Sequence, residues 1–131
     1  MIKGLESVTL FSQSAKNLAE FYKTKVGLKV KFEAVMGDKG EEYYDMEVGK
    51  GVGFGIVDHS KVKGKSKEPE RIIFNLDVDD IEKEVKRLKK NKVKLVKDIY
   101  HIEGYGYIAT FADVDGNFFQ FVQVRATPKK K

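Results

Sequence analysis

Two histidines, His59 and His101, and no cysteine are the only soft metal ligands or strong nucleophiles this 131-residue chain could offer. Disulfides, thiolate metal sites and a catalytic cysteine are therefore excluded. His59 shares strand parity with Gly55 and Val57, which puts it near a rim. His101 lies in the loop-like stretch DIYHIEG, and no helix or hairpin spacing joins the two histidines to a carboxylate as a metal site. A Ser-His-Asp triad would lack its G-x-S-x-G elbow. Gly104-Tyr105-Gly106 has no following helix to receive a phosphate. The acidic stretch EEYYD at 41–45 reads as an exposed strand edge rather than an acid–base pair. What remains is neutral: Ser7, Thr9, Asn75 and Gln120, hydrogen-bonding groups set in strand-like segments. Gln120 is the most legible. It lies in FADVDGNFFQFVQ, where Asp115-Gly116-Asn117 makes a tight turn. After the turn, Phe119 and Phe121 take one parity and Phe118, Gln120 and Val122 the other. Strands with one buried face alternate apolar with polar. A lone amide between two greasy faces needs a different reason.

The elements that would position these groups come in two similar runs. SVTLFS (7–12) alternates as a strand. Ser14 then caps a helix with an apolar face of Ala15, Leu18, Tyr22 and Val26, which Gly27 ends. Strand candidates LKVKFEAV (28–35), EYYDMEV (42–48) and VGFGIVD (52–58) follow. After a Lys-rich segment containing Pro69 the order repeats. RIIFNLDV (71–78) reads as a strand, and Asp79 with Glu82 forms a capping box. Ile81, Val85 and Leu88 mark a helix ending near Asn91, and strands are expected at 93–99, around 105–111 and at 117–124. Val8 and Leu10 match Phe74 and Leu76 at an offset of 66. Gly51, Phe54 and Ile56 match Gly116, Phe119 and Phe121 at an offset of 65. Such self-similarity predicts two copies of one supersecondary unit. The boundaries expected are a first module at about 5–60, a linker at about 61–70, a second module at about 71–125 and a basic tail at 126–131, all within one domain. The fold class is α+β. Four strands and one helix cover only one sheet face, so two βαβββ modules are expected to form a curved mixed sheet with a concave cup and helices outside.

Composition narrows the function classes. Nothing approaches the run of about 18 apolar residues that spans a bilayer, and MIKGLESV lacks the apolar stretch of a signal peptide. A cytoplasmic protein with no membrane partner is the expectation. The net charge of +5 comes largely from KVKGKSK (61–67) and Lys129-Lys130-Lys131. Neither segment carries interleaved aromatics that could stack on bases, so no specific nucleic-acid partner is expected.

The duplicated βαβββ pattern, SAKNLAEFYKTKVGLKV (14–30) and DVDGNFFQF (113–121) together resemble the vicinal oxygen chelate superfamily of glyoxalases, bleomycin-resistance proteins and extradiol dioxygenases. Leu18, Phe21-Tyr22 and Gly27-Leu28 fit its helix motif. Asp113, Asp115, Gly116 and Asn117 fit its DPDGN turn, with Val114 in place of proline. The resemblance implies a divalent-metal site inside the cup, held by His or Glu side chains from four strands. The matching positions here are Ser7, Gly55, Ile73 and Gln120, so the usual metal is not expected and no cofactor is assigned. Gln120 stands where a metal-binding member carries a glutamate.

Parity with those four positions gives the ligand-facing residues that the resemblance implies: Ser7, Thr9 and Phe11; Gly55 and Val57; Ile73 and Asn75; Phe118 and Gln120. Gly53 and Gly55 are expected to leave room for a ligand, and Gln120 to hydrogen-bond a ligand, Asn75 or Ser7. Tyr100, Tyr105 and Tyr107 are rim candidates, with ordinary strand packing as their alternative role. The resemblance further implies a homodimer, which EEYYDMEV could face. The function expected is binding of a small molecule without the usual metal. The alternative is a lyase, isomerase or dioxygenase with unrecognised ligands or metal-free chemistry.

Overall fold

The computed structural model describes residues 1–124, and the basic tail expected at 126–131 lies outside them. The chain divides into two compact units, Met1–Gly64 and a second beginning at Lys65. In the first, β1 (Ser7–Ser12) leads into α1 (Ala15–Phe21), a π-helical turn (Tyr22–Val26), β2 (Lys29–Val35), β3 (Glu42–Glu47) and β4 (Gly53–Asp58). The sheet order is β1-β4-β3-β2, with β1 and β4 parallel and the other pairs antiparallel. β3 is therefore an inner strand, flanked by β4 and β2. The expectation that EEYYD forms a sheet edge is wrong, because both sides of β3 are hydrogen-bonded.

Side chains start the helix where the sequence suggests. The Ser14 hydroxyl accepts from the Asn17 N–H at 3.3 Å, and the Ser12 hydroxyl accepts from the Ser14 N–H at 3.0 Å. A third acceptor comes from far along the chain: Asp58 Oδ1 takes the Ala15 N–H at 2.7 Å. Ala15, Leu18, Tyr22 and Val26 are all buried. Tyr22 meets Phe54 of β4 edge to face at 5.3 Å, a favoured aromatic geometry. Gly27, at φ 97, closes the turn, and the Tyr22 carbonyl accepts from both Gly27 and Leu28 N–H.

The second unit repeats the plan as β5 (Phe74–Asp77), α2 (Ile81–Lys90), β6 (Lys94–Ile102), β7 (Gly106–Ala112) and β8 (Phe118–Val124), with sheet order β5-β8-β7-β6. The internal offsets reappear as register. Val8 pairs with Phe54 and Phe74 with Phe119, while Leu10 pairs with Ile56 and Leu76 with Phe121. Even the long-range cap is duplicated, since Gln123 Oε1 accepts from the Ile81 N–H at 2.9 Å. Phe119 is fully buried and lies between Phe74 and Phe111 in stacked contacts at 6.0 and 5.6 Å.

Three expectations need correction here. The cap of α2 is Asp80, whose Oδ1 accepts from Lys83 N–H at 3.2 Å, so Asp79 and Glu82 form no capping box. β5 starts at Phe74, which leaves Ile73 just before the strand. His101 is no loop residue: β6 runs through it to Ile102, pairing His101 with Tyr107.

The repeat also exposes one strained position. Where the first unit has Gly27, the second has Lys92, at φ 62. Only glycine adopts this region without steric cost. Lys92→Gly is expected to stabilise the protein by about 0.5–1 kcal/mol, read as a higher urea midpoint with an unchanged slope.

Candidate functional site

Each sheet has one face committed to its helix. In the first unit Asp58 caps α1, so Phe54, Ile56 and Asp58 face the helix, and Gly53, Gly55 and Val57 turn the other way. Register then assigns Ser7, Thr9 and Phe11 of β1 to that same uncovered face. A cavity of about 240 Å³ opens there. Its wall takes in Ser7, Thr9, Gly53 and Gly55, joined by Lys31, Tyr43, Asp45, Glu47 and Glu6. Phe11 and Val57 share the face but do not line the cavity. Phe11 packs edge-on against His59 at 5.2 Å, which sets His59 beside the end of β1. The His59 Nδ1 accepts from the Lys61 N–H at 3.1 Å.

In the second unit Gln123 caps α2, so Phe119 and Phe121 face the helix while Phe118, Gln120 and Val122 face away. Asn75 is exposed and pairs in register with Gln120; Ile73 is half-buried. The Gln120 amide does find a partner, but a different one from those expected. Its Nε2 donates to Thr110 Oγ1 at 3.0 Å across the β7–β8 pair. Asn75, its register partner on β5, does not take that role; Thr110, its partner on β7, is buried and does. Tyr107 packs against His101 at 4.8 Å, and Tyr100 lies under Lys97 Nζ at 4.2 Å, which is strand packing for both.

The residues that sequence reasoning missed are Tyr43 and Asp45. Their signal was the alternation in EYYDM: buried Met46 belongs to the helix side, so Tyr43 and Asp45, on the other parity, reach the uncovered face. The room expected over Gly55 is partly taken by the Tyr43 ring, since a Cβ there would lie 3.2 Å from Tyr43 Cε1. Over Gly53 a Cβ would meet Ser7 Cβ at 3.3 Å. Burial first, then the charges of Asp45 and Glu6, raise the Tyr43 pKa above its usual value. Like an ordinary tyrosine, the phenol is a neutral donor at physiological pH. Its neighbour Tyr44, on the opposite parity, is pushed up to about 12 by its hydrogen bond to Glu42.

A family model for the glyoxalase/bleomycin resistance protein/dioxygenase superfamily matches residues 4–121. The chain belongs to this superfamily. Solved structures agree on the fold. A glyoxalase/bleomycin resistance protein/dioxygenase domain from Frankia sp. EAN1pec superposes with a TM-score of 0.75 at 14% identity, covering 95% of this chain and 100% of that one. A glyoxalase I mutant from Zea mays gives 0.73 at 18% identity, over 95% of this chain and 46% of that chain. The fosfomycin resistance protein FosX from Listeria monocytogenes gives 0.69 at 18% identity, over 95% of each chain. No curated protein sequence matches the chain.

At the four positions that the resemblance assigns to the superfamily's usual metal, the residues are poor ligands. Gly55 has no side chain and the volume beside it holds a tyrosine ring; Ile73 is a hydrocarbon; Gln120, whose Nε2 donates to Thr110, offers only a neutral amide oxygen. Among the described residues no group of three or more His, Asp or Glu is placed to hold a metal ion. Nor, among them, is any helix long and apolar enough to cross a membrane.

Proposed function

We propose that this chain is a small-molecule-binding member of the superfamily that works without the usual metal, its ligand seated over Gly55 on the uncovered face of the first sheet. One observation carries this reading. Ser7, Thr9, Tyr43 and Asp45 converge on the cavity, and no described residue hydrogen-bonds their side chains. Ser7 and Thr9 are exposed and Tyr43 and Asp45 half-buried, so all four are open to solvent and to a ligand that displaces it. At about 240 Å³ the cavity is small beside typical ligand sites of roughly 300–1,000 Å³, which suits a compact metabolite. Phe11 and Val57 extend the apolar part of the same face. Ile73, Asn75, Phe118 and Gln120 remain candidates for ligand contact on their own module. A homodimer in the cytoplasm is part of the proposal; sedimentation at tens of micromolar that shows only monomer contradicts the former.

The test is calorimetric titration of the protein with Ni²⁺, Zn²⁺, Mn²⁺ and Fe²⁺. No stoichiometric binding is expected. Tight binding of one ion per chain overturns the metal-free reading and favours a metal-dependent lyase, isomerase or dioxygenase.

A further inference from the structure

In register, Gly55 lies between Thr9 of β1 and Asp45 of β3. Tyr43 belongs to the next row, opposite Val57, yet its ring leans back across β4. A Cβ on residue 55 would lie 3.8 Å from both the Tyr43 hydroxyl and Thr9 Oγ1. The phenol oxygen and the threonine hydroxyl therefore both border the space over Gly55. The same pocket wall takes in Glu6, Asp45 and Glu47, with Lys31 as its cation. The chain is basic overall but this wall is acidic, three carboxylates to one ammonium. Local charge decides which ligands enter a cleft, because low-dielectric walls focus the field of the groups that line it.

We infer that Tyr43 is the polar anchor of this pocket, donating a hydrogen bond to an uncharged oxygen of the ligand while the surrounding carboxylates turn anions away. This rests on the binding reading given above. Asp45 and Glu6 raise the cost of bringing a carboxylate or phosphate to the phenol. The ligand class is a neutral or cationic hydroxylated small molecule.

Glucose, glucosamine and glucuronate are similar in size and differ in charge. Each is titrated into ¹⁵N-labelled protein in metal-free buffer. Glucose and glucosamine are expected to shift the amide resonances of Thr9, Gly55 and Asp45, and glucuronate at equal concentration is not. Tyr43→Phe should weaken glucose binding about five- to tenfold, the loss of one hydrogen bond, with its melting temperature close to the parent's. Gly55→Ala, which pushes on the ring, should weaken it too. Glucuronate binding as tightly as glucose, or Tyr43→Phe binding glucose like the parent, overturns the role of Tyr43 and leaves the pocket a binding site. If none of the three sugars shifts these residues, the role assigned to Tyr43 falls. A melting shift with other metabolites then shows whether the binding reading survives it.

Discussion

Asp113→Ala is expected to lower stability by about 3 kcal/mol, the largest effect anticipated for any single polar side chain here. Asp113 is 6% exposed and organises the whole turn between β7 and β8. Its Oδ1 accepts from the Asp115 and Asn117 N–H groups, each at 2.9 Å, and Oδ2 accepts from Asn117 Nδ2 at 3.1 Å. Two backbone bonds close the same loop, Asp113 N–H to the Asn117 carbonyl and Gly116 N–H to the Asp113 carbonyl. Gly116 supplies the left-handed φ of 78, and the Ser66 N–H donates to the Asp115 carbonyl at 2.8 Å. Removing the carboxylate strands several donors at once. Asp113→Asn, which keeps one acceptor oxygen, should cost about half as much. Urea unfolding measures both; a loss below about 0.5 kcal/mol for Asp113→Ala would mean the turn is held by its backbone alone.

The second large effect is Asp58→Ala, at about 2 kcal/mol. One carboxylate here holds two backbone donors from distant segments: Ala15 N–H at the start of α1 and Glu42 N–H at the start of β3, at 2.7 and 2.9 Å. Its repeat partner Gln123 accepts a single such bond, from Ile81. Gln123→Ala should therefore cost only about 1 kcal/mol. Hydrogen exchange should show the Ala15 and Glu42 amides losing protection in Asp58→Ala. Equal losses for the two alanine variants would contradict the assignment of a double role to Asp58.

Local features were legible in the sequence because their causes are local. SVTLFS coincides with β1, Ser14 caps α1, and Gly27 sits at φ 97, each fixed by residues within a turn of itself. The duplication was legible because offsets of 66 and 65 are the register of β1 on β4 and of β5 on β8. Asp79 and Asp80 are equally good caps by type, and only the extended backbone at Asp80 decides between them. β6 hid its length because register shifts break its alternation, so His101 looked like loop. The place of β3 inside its sheet depends on pairing with β4 and β2, which no window of sequence contains. The same holds for the candidate site. Ser7, Thr9 and Gly55 followed from parity, but the reach of Tyr43 over Gly55 is a contact between neighbouring strands. Thr110, the partner of Gln120, was overlooked because both sit on strands of mixed polarity whose register the sequence alone left open.

The central claim is that a small molecule binds over Gly55 without a metal. Its most direct test is the thermal unfolding of the protein against a metabolite library, run once in EDTA and once with a divalent-metal mixture. The expected result is a set of compounds that raise the melting temperature by several degrees in EDTA, by the same amount when metals are present. Compounds that stabilise the protein only when metal is added would contradict the claim.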